Sequence, residues 1–247
     1  MHDYSALCDD YYLNLNLATE MELPGNRETI LHYFEQLQKK YPTMRKFYSR
    51  ERKDFVLEED KEQGHYRWST VETRRVCSGY VNPPNPEAAL EQHRFVLETI
   101  PYALSISTLE CEALDVLYGF DFSYRGNQNL LLAETLGLCP AYEKLLDLPG
   151  AKVINYEPVV TLAVEDDCRT QVRMSIETRT TAAQVRSGDY PEDQFSVYLT
   201  ARQYGSLPPG VTFLQAMEKL AELAHNIVHS HVRPNVLEPL ARAISMK

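Results

Sequence analysis

Cysteine is scarce, and what there is does not pair. Cys8, Cys77, Cys111, Cys139 and Cys168 are an odd set with no CxxC spacing among them. That excludes a zinc ribbon built on paired thiolates and a complete disulfide framework. Free thiols in a reducing compartment are the simplest reading, so the expected location is cytoplasmic. The N-terminal MHDYSALCDDYY carries acids where a secretory leader needs a basic start and an apolar core. No apolar run approaches membrane-spanning length, so no membrane association is expected.

Glycine and basic residues are short too. The ten glycines form neither GxGxxG nor GxxxxGK[ST], so no phosphate loop is present. There is no GxSxG elbow and no HExxH pair. No cofactor is expected from these absences. With 25 basic against 35 acidic residues the formal charge is -10, which repels nucleic-acid phosphates. The densest basic stretch, residues 45–53, is answered at once by Asp54, Glu58, Glu59, Asp60 and Glu62. Nucleic acid is therefore not an expected partner.

What is present is an ordinary folding sequence, 44% hydrophobic over 247 residues, with enough apolar mass for a sizeable core. In LNLNLATEMEL, Leu13, Leu15, Leu17, Thr19 and Met21 alternate with Asn14, Asn16, Ala18, Glu20 and Glu22. This is the period of a half-buried strand. Asn26 then caps a helix running to about residue 40. A hairpin follows, with strands over 46–57 and 65–81 around an acidic turn. Asn85 and Pro86 open a second helix to about residue 99, and a long strand region spans 102–124. That order, β-α-β-β-α-β, is the ferredoxin-like pattern.

The second half reads differently. Two short helices, 128–136 and 140–146, end at Gly137 and Gly150. Strands are expected over 152–165, 169–186 and 194–204, and Thr212 with Gln215 forms a capping box for a long C-terminal helix. The expected fold class is α+β with antiparallel sheets. Residues 1–126 form a ferredoxin-like half and 127–150 a helical link. Residues 151–247 form a βββα half.

Candidate chemistry lies on the polar sides of the strands. Asn14, Asn16, Asp121, Ser123 and Arg125 fall on the side away from the helices. Arg173, Glu177, Arg179, Tyr198 and Arg202 do the same in the second half. A groove between the halves would bring guanidinium forks and carboxylates together for an anion or for acid–base work. In GFDFSYRGNQN, Asn127 or Asn129 suits a helix cap, and the same helix start beside Arg125 would suit an anion. The ligand-binding candidates are therefore Asp121, Arg125, Asn127, Arg173, Glu177 and Arg202. Among His225, His229 and His231, helical spacing puts the first two one turn apart and the third in the apolar arc, so only His225 and His229 are metal candidates. His93 shares an apolar stripe with Leu90, Leu97 and Ile100, as a core histidine does.

The segments YYLNLNL, GHYRW, GYVNPP, GFDFSYRGN and RQYGSLPPG together resemble uncharacterised conserved proteins of about 250 residues from planctomycete-type bacteria. The resemblance implies no activity and transfers no catalytic residue. The leading expectation is a cytoplasmic binding or interaction protein that recognises a small anionic ligand or a partner segment. The alternative is a hydrolase or transferase using Asp121 or Glu177 beside an arginine. A third reading is metal binding through the C-terminal histidines. The broad apolar arc of the last helix also suggests a homodimer.

Overall fold

The alternation around Leu13 becomes β1 (Asp10–Thr19), and Asn26 caps α1 (Arg27–Lys40) by accepting from the Thr29 N–H at 2.8 Å. The computed structural model describes residues 4–50 and 54–247. Strands β2 (Lys46–Arg50), β3 (Asp54–Glu58), β4 (Tyr66–Val71) and β5 (Arg75–Val81) follow. Then come α2 (Pro86–Ala103), β6 (Cys111–Arg125), α3 (Gln128–Leu136), the single turn α4 (Pro140–Glu143), β7 (Val159–Ala163) and β8 (Thr170–Glu177). The chain closes with α5 (Ala182–Ser187), β9 (Glu192–Tyr204), α6 (Phe213–Ile227), a π-helical stretch Val228–Leu237 and α7 (Glu238–Ser245). No helix is long and apolar enough to cross a membrane among the described residues.

The nine strands of the described residues join one antiparallel sheet in the order β2-β3-β4-β5-β1-β6-β9-β8-β7. The strands of the two expected halves meet at β6 and β9, paired from Ala113–Tyr204 to Arg125–Glu192. Helices α1, α2 and α6 cover one face. Leu13, Leu15, Leu17, Val116, Phe120, Val197 and Leu199 meet Ile30, Leu37, Val96, Ile100, Met217 and Leu220 there. Phe122 and Phe195 stack across β6 and β9 with centroids 5.3 Å apart. Burying such side chains contributes about 2 kcal/mol each, which is why the apolar period of β1, β6 and β9 points to this side.

Several expectations are corrected. Four strands, not two, stand between α1 and α2. The stretch expected as one strand over 65–81 folds back at Thr73–Arg74, where Glu72 N–H bonds Arg75 O at 2.8 Å and the two side chains pair. That two-residue turn lacks the Asn-Gly signal and so left no break in the alternation. The stretch over 46–57 is also two strands, and residues 51–53 lie outside the described residues. Helix α2 runs through Pro101 to Ala103, so β6 starts at Cys111 rather than 102. The strand expected over 169–186 ends at Glu177, because Thr181 and Gln184 form a capping box that opens α5.

The long C-terminal helix is capped by Thr212 and Gln215 as the capping box requires. His231, expected in its apolar arc, is exposed, while Val228, Val232 and Val236 are buried. The π-helical turns carry more residues each, which shifts the phase away from 100° per residue.

Candidate functional site

With the helices on one side, no element of the described residues covers the other face of the sheet. Its residues come from the even-numbered side of β1 and from their cross-strand partners. One row runs Trp68, Gly79, Asn14, Leu117, Thr200, Arg173 and Thr161. The next runs Tyr66, Val81, Tyr12, Gly119, Tyr198 and Ser175. A third sets Thr70, Cys77, Asn16, Asp115, Arg202 and Gln171 side by side.

Two glycines shape this face. A Cβ on Gly79 would fall inside the Trp68 indole and against Asn14 Oδ1, and one on Gly119 inside the Tyr12 ring. The absence of those side chains lets both aromatic rings lie down on the sheet. Tyr12 also meets Tyr198 edge-on, centroids 6.5 Å apart, and its hydroxyl donates to Asp121 Oδ1 at 3.2 Å. The buried Asn14 Oδ1 has no hydrogen-bond partner among the described residues.

The face is a pair of adjoining troughs that share Asn16 and Arg75. The first, about 620 Å³, has the Tyr12 and Trp68 rings in its floor. Asp10, Glu58, Glu72 and Asp121 stand around it against Arg50, Lys61 and Arg75. Two of these cations are already engaged, Lys61 by Glu58 at 3.0 Å and Arg75 by Glu72 at 2.6 Å. Asp121 lies directly opposite Asp10. Its carboxyl is raised above the ordinary carboxylate value, by burial foremost and by Asp10 in addition, while hydrogen bonds from Ser196 and Tyr12 oppose the rise. The Cys77 thiol is pushed up to about 12, chiefly by burial, so it is not a nucleophile at neutral pH.

The second trough, about 480 Å³, holds Asp115, Arg202, Arg173 and Glu177. Arg202 grips Asp115 with two hydrogen bonds, leaving its guanidinium committed. Arg173 and Glu177 are exposed, and neither makes an ion pair among the described residues. The expected convergence is thus divided. Arg173, Glu177 and Arg202 share one trough and Asp121 lines the other. Arg125 lies four residues beyond Asp121 along β6, roughly 13 Å away at strand rise, and is exposed. Asp121 was expected beside Asn14 and Asn16, but antiparallel register puts it at Asp10 and sets Asp115 against Asn16.

The amides after Arg125 serve the fold. Asn127 caps α3 through the Leu130 N–H at 3.1 Å and donates to Val153 O at 2.8 Å. Gln128, buried, accepts from the Arg179 N–H and donates to Asp193 O and Gln194 O. Asn129 accepts from Tyr156 N–H and donates to Ile154 O. Three consecutive amides therefore tie the segment before β7 and the ends of β8 and β9 to α3. His225 and His229 stand edge to face at 6.3 Å, and no group of three metal-ligating side chains forms among the described residues.

Sequence reasoning missed Tyr12 and Trp68, and it put Asp115 on the polar side of its strand without making it a site candidate. The signal that marks the first two is a glycine in the middle of a long strand, at Gly79 and Gly119, which indicates close approach of another group to the backbone.

Fold and site together define an α+β protein with one nine-stranded antiparallel sheet, helices on one face and an aromatic-floored polar trough on the other. The chain matches no protein-family model and no curated protein.

Proposed function

We propose that the protein is a non-catalytic, cytoplasmic binding protein whose uncovered sheet face receives an extended peptide segment of a partner. The carrying observation is the pair of rings laid flat over Gly79 and Gly119 in a wide trough. Flat aromatic faces beside amides and paired charges bind a chain lying along them through stacking and scattered hydrogen bonds. Enclosed small-molecule pockets are instead mostly apolar. A small anion is the weaker version of this reading, because Arg202 and Arg75 are already held by carboxylates and acids outnumber bases around the first trough. The segment suited to this face carries Lys or Arg toward Asp10 and Asp121 and an acidic residue toward Arg173. Neither Asp121 nor Glu177 pairs with an arginine among the described residues, which favours the binding reading over the hydrolase or transferase one. Within the sheet, β4, β5, β1 and β6 with α1 and α2 are read as a ferredoxin-like unit extended by the β2–β3 hairpin.

Trp68 is the only tryptophan, so its emission reports on the trough. A peptide array is probed with the full chain and its hits are titrated against tryptophan fluorescence. The expected result is a saturable change for peptides of that charge order, lost in Tyr12→Ala and weakened in Arg173→Glu. If no peptide gives saturation, or both variants bind as the parent does, the reading is wrong. Saturation by inorganic pyrophosphate instead would restore the anionic version.

A further inference from the structure

Strand β7 is an edge of the sheet and is apolar on both sides. Val160 and Leu162 point to the helix-bearing face yet are 55% and 59% exposed, and Val159 on the other face is 51% exposed. The bonds to β8 fall on even-numbered residues: Ile176 N–H donates to Pro158 O, and Val164 N–H to Thr170 O. Because antiparallel bonding alternates, the N–H and C=O groups of Val159, Thr161 and Ala163 point away from β8. No strand of the described residues lies on that side.

The two edges of the sheet are built differently. At β2, antiparallel pairing with a second copy about Tyr48 would set Lys46 against Arg50, like charge against like. Basic side chains of this kind are how natural sheets protect an edge. Strand β7 has no charge at all. Antiparallel pairing about Thr161 sets Thr161 against its own copy and Val159 against Ala163, which is self-complementary and free of repulsion.

We propose that β7 is a homodimer interface, in which two copies of the chain pair their β7 strands antiparallel about a twofold axis at Thr161 and join their sheets into one. The pairing is isologous and closes at two chains. It also completes the second trough. Thr161 and Arg173 line that trough together, and in the dimer the two Arg173 residues lie on one row, three strand spacings or roughly 14 Å apart. The trough of each chain then continues into that of the other across the axis. This inference does not depend on what the sheet face binds, since its test reads mass.

Sedimentation of the full chain tests it. Wild type is expected at twice the chain mass over a range of concentrations. Thr161 is exposed, so Thr161→Lys and Thr161→Glu leave the fold intact, as circular dichroism would verify, and each should sediment at half the wild-type mass. Mixing the two variants places Lys against Glu at the axis and should restore the doubled mass. Tyr48→Lys, on the opposite edge, should leave the dimer unchanged. A wild type at single mass throughout, a Thr161→Lys protein that stays paired, a mixture that does not reassociate, or assemblies larger than two would each overturn the proposal.

Discussion

Arg202 and Asp115 meet across β9 and β6 in a two-pronged ion pair, Nε to Oδ1 and Nη2 to Oδ2, each at 2.5 Å. Asp115 is 5% exposed, and burial raises its carboxyl above the ordinary value even though Arg202 pulls the other way. Removing the arginine leaves a buried carboxylate with little compensation. Arg202→Met is expected to cost about 2 kcal/mol at neutral pH, less than a fully buried pair because the guanidinium is partly solvated. An acid whose folded pKa is raised loses stability as pH rises through that pKa, and the variant's is raised further. The deficit relative to wild type should therefore shrink as pH falls into the carboxylate range. Urea unfolding at neutral pH and again in the carboxylate range reads it, and a deficit independent of pH would refute this account.

His93 is fully buried on α2, with Nδ1 3.1 Å from Ser78 Oγ, and burial depresses its pKa from 6.5 to about 3. A base depressed in the folded state binds its proton more readily when unfolded. Stability is present above pH 6.5 and is lost as pH falls toward 3, by about 1 kcal/mol per pH unit. Chemical unfolding of wild type and His93→Gln across that window should show a flatter slope for the variant.

Gly79→Ala places a methyl where the Trp68 indole lies. The indole must lift from the sheet, at a cost of about 1–3 kcal/mol. Trp68 emission should shift toward the solvent-exposed value, with the β4–β5 ladder otherwise retained. An unchanged emission maximum would show that the ring does not lie on Gly79.

Gln128→Ala removes the acceptor for Arg179 N–H and the donor to Asp193 O and Gln194 O from a buried position. A loss of about 2–3 kcal/mol is expected, since those backbone groups are stranded away from water. Hydrogen exchange should accelerate first at residues 178–181. Exchange that accelerates uniformly over the sheet instead would place the effect elsewhere.

Local features were legible where the signal was short-range. Asn26, Asn85 and Thr212 cap the helices they were read to cap, because an N-cap bond spans three residues. The helix-facing sides of β1, β6 and β9 followed from alternation alone. The turn at Thr73–Arg74 and the π-helical stretch after Ile227 were not legible: one uses no glycine or proline, and the other keeps an apolar pattern while changing its period.

The candidate site was half legible. That polar residues of both halves face away from the helices could be read from strand period, yet the period says nothing about which strand lies beside which. Hydrophobic alternation acts within a strand and dictates its buried side and the cap of the next helix. Register and neighbour order come from backbone hydrogen bonds between segments as far apart as Asp115 and Arg202. Those pairings chose Asp10 as Asp121's neighbour, committed Arg202 to Asp115, laid Trp68 over Gly79, and left β7 at an edge.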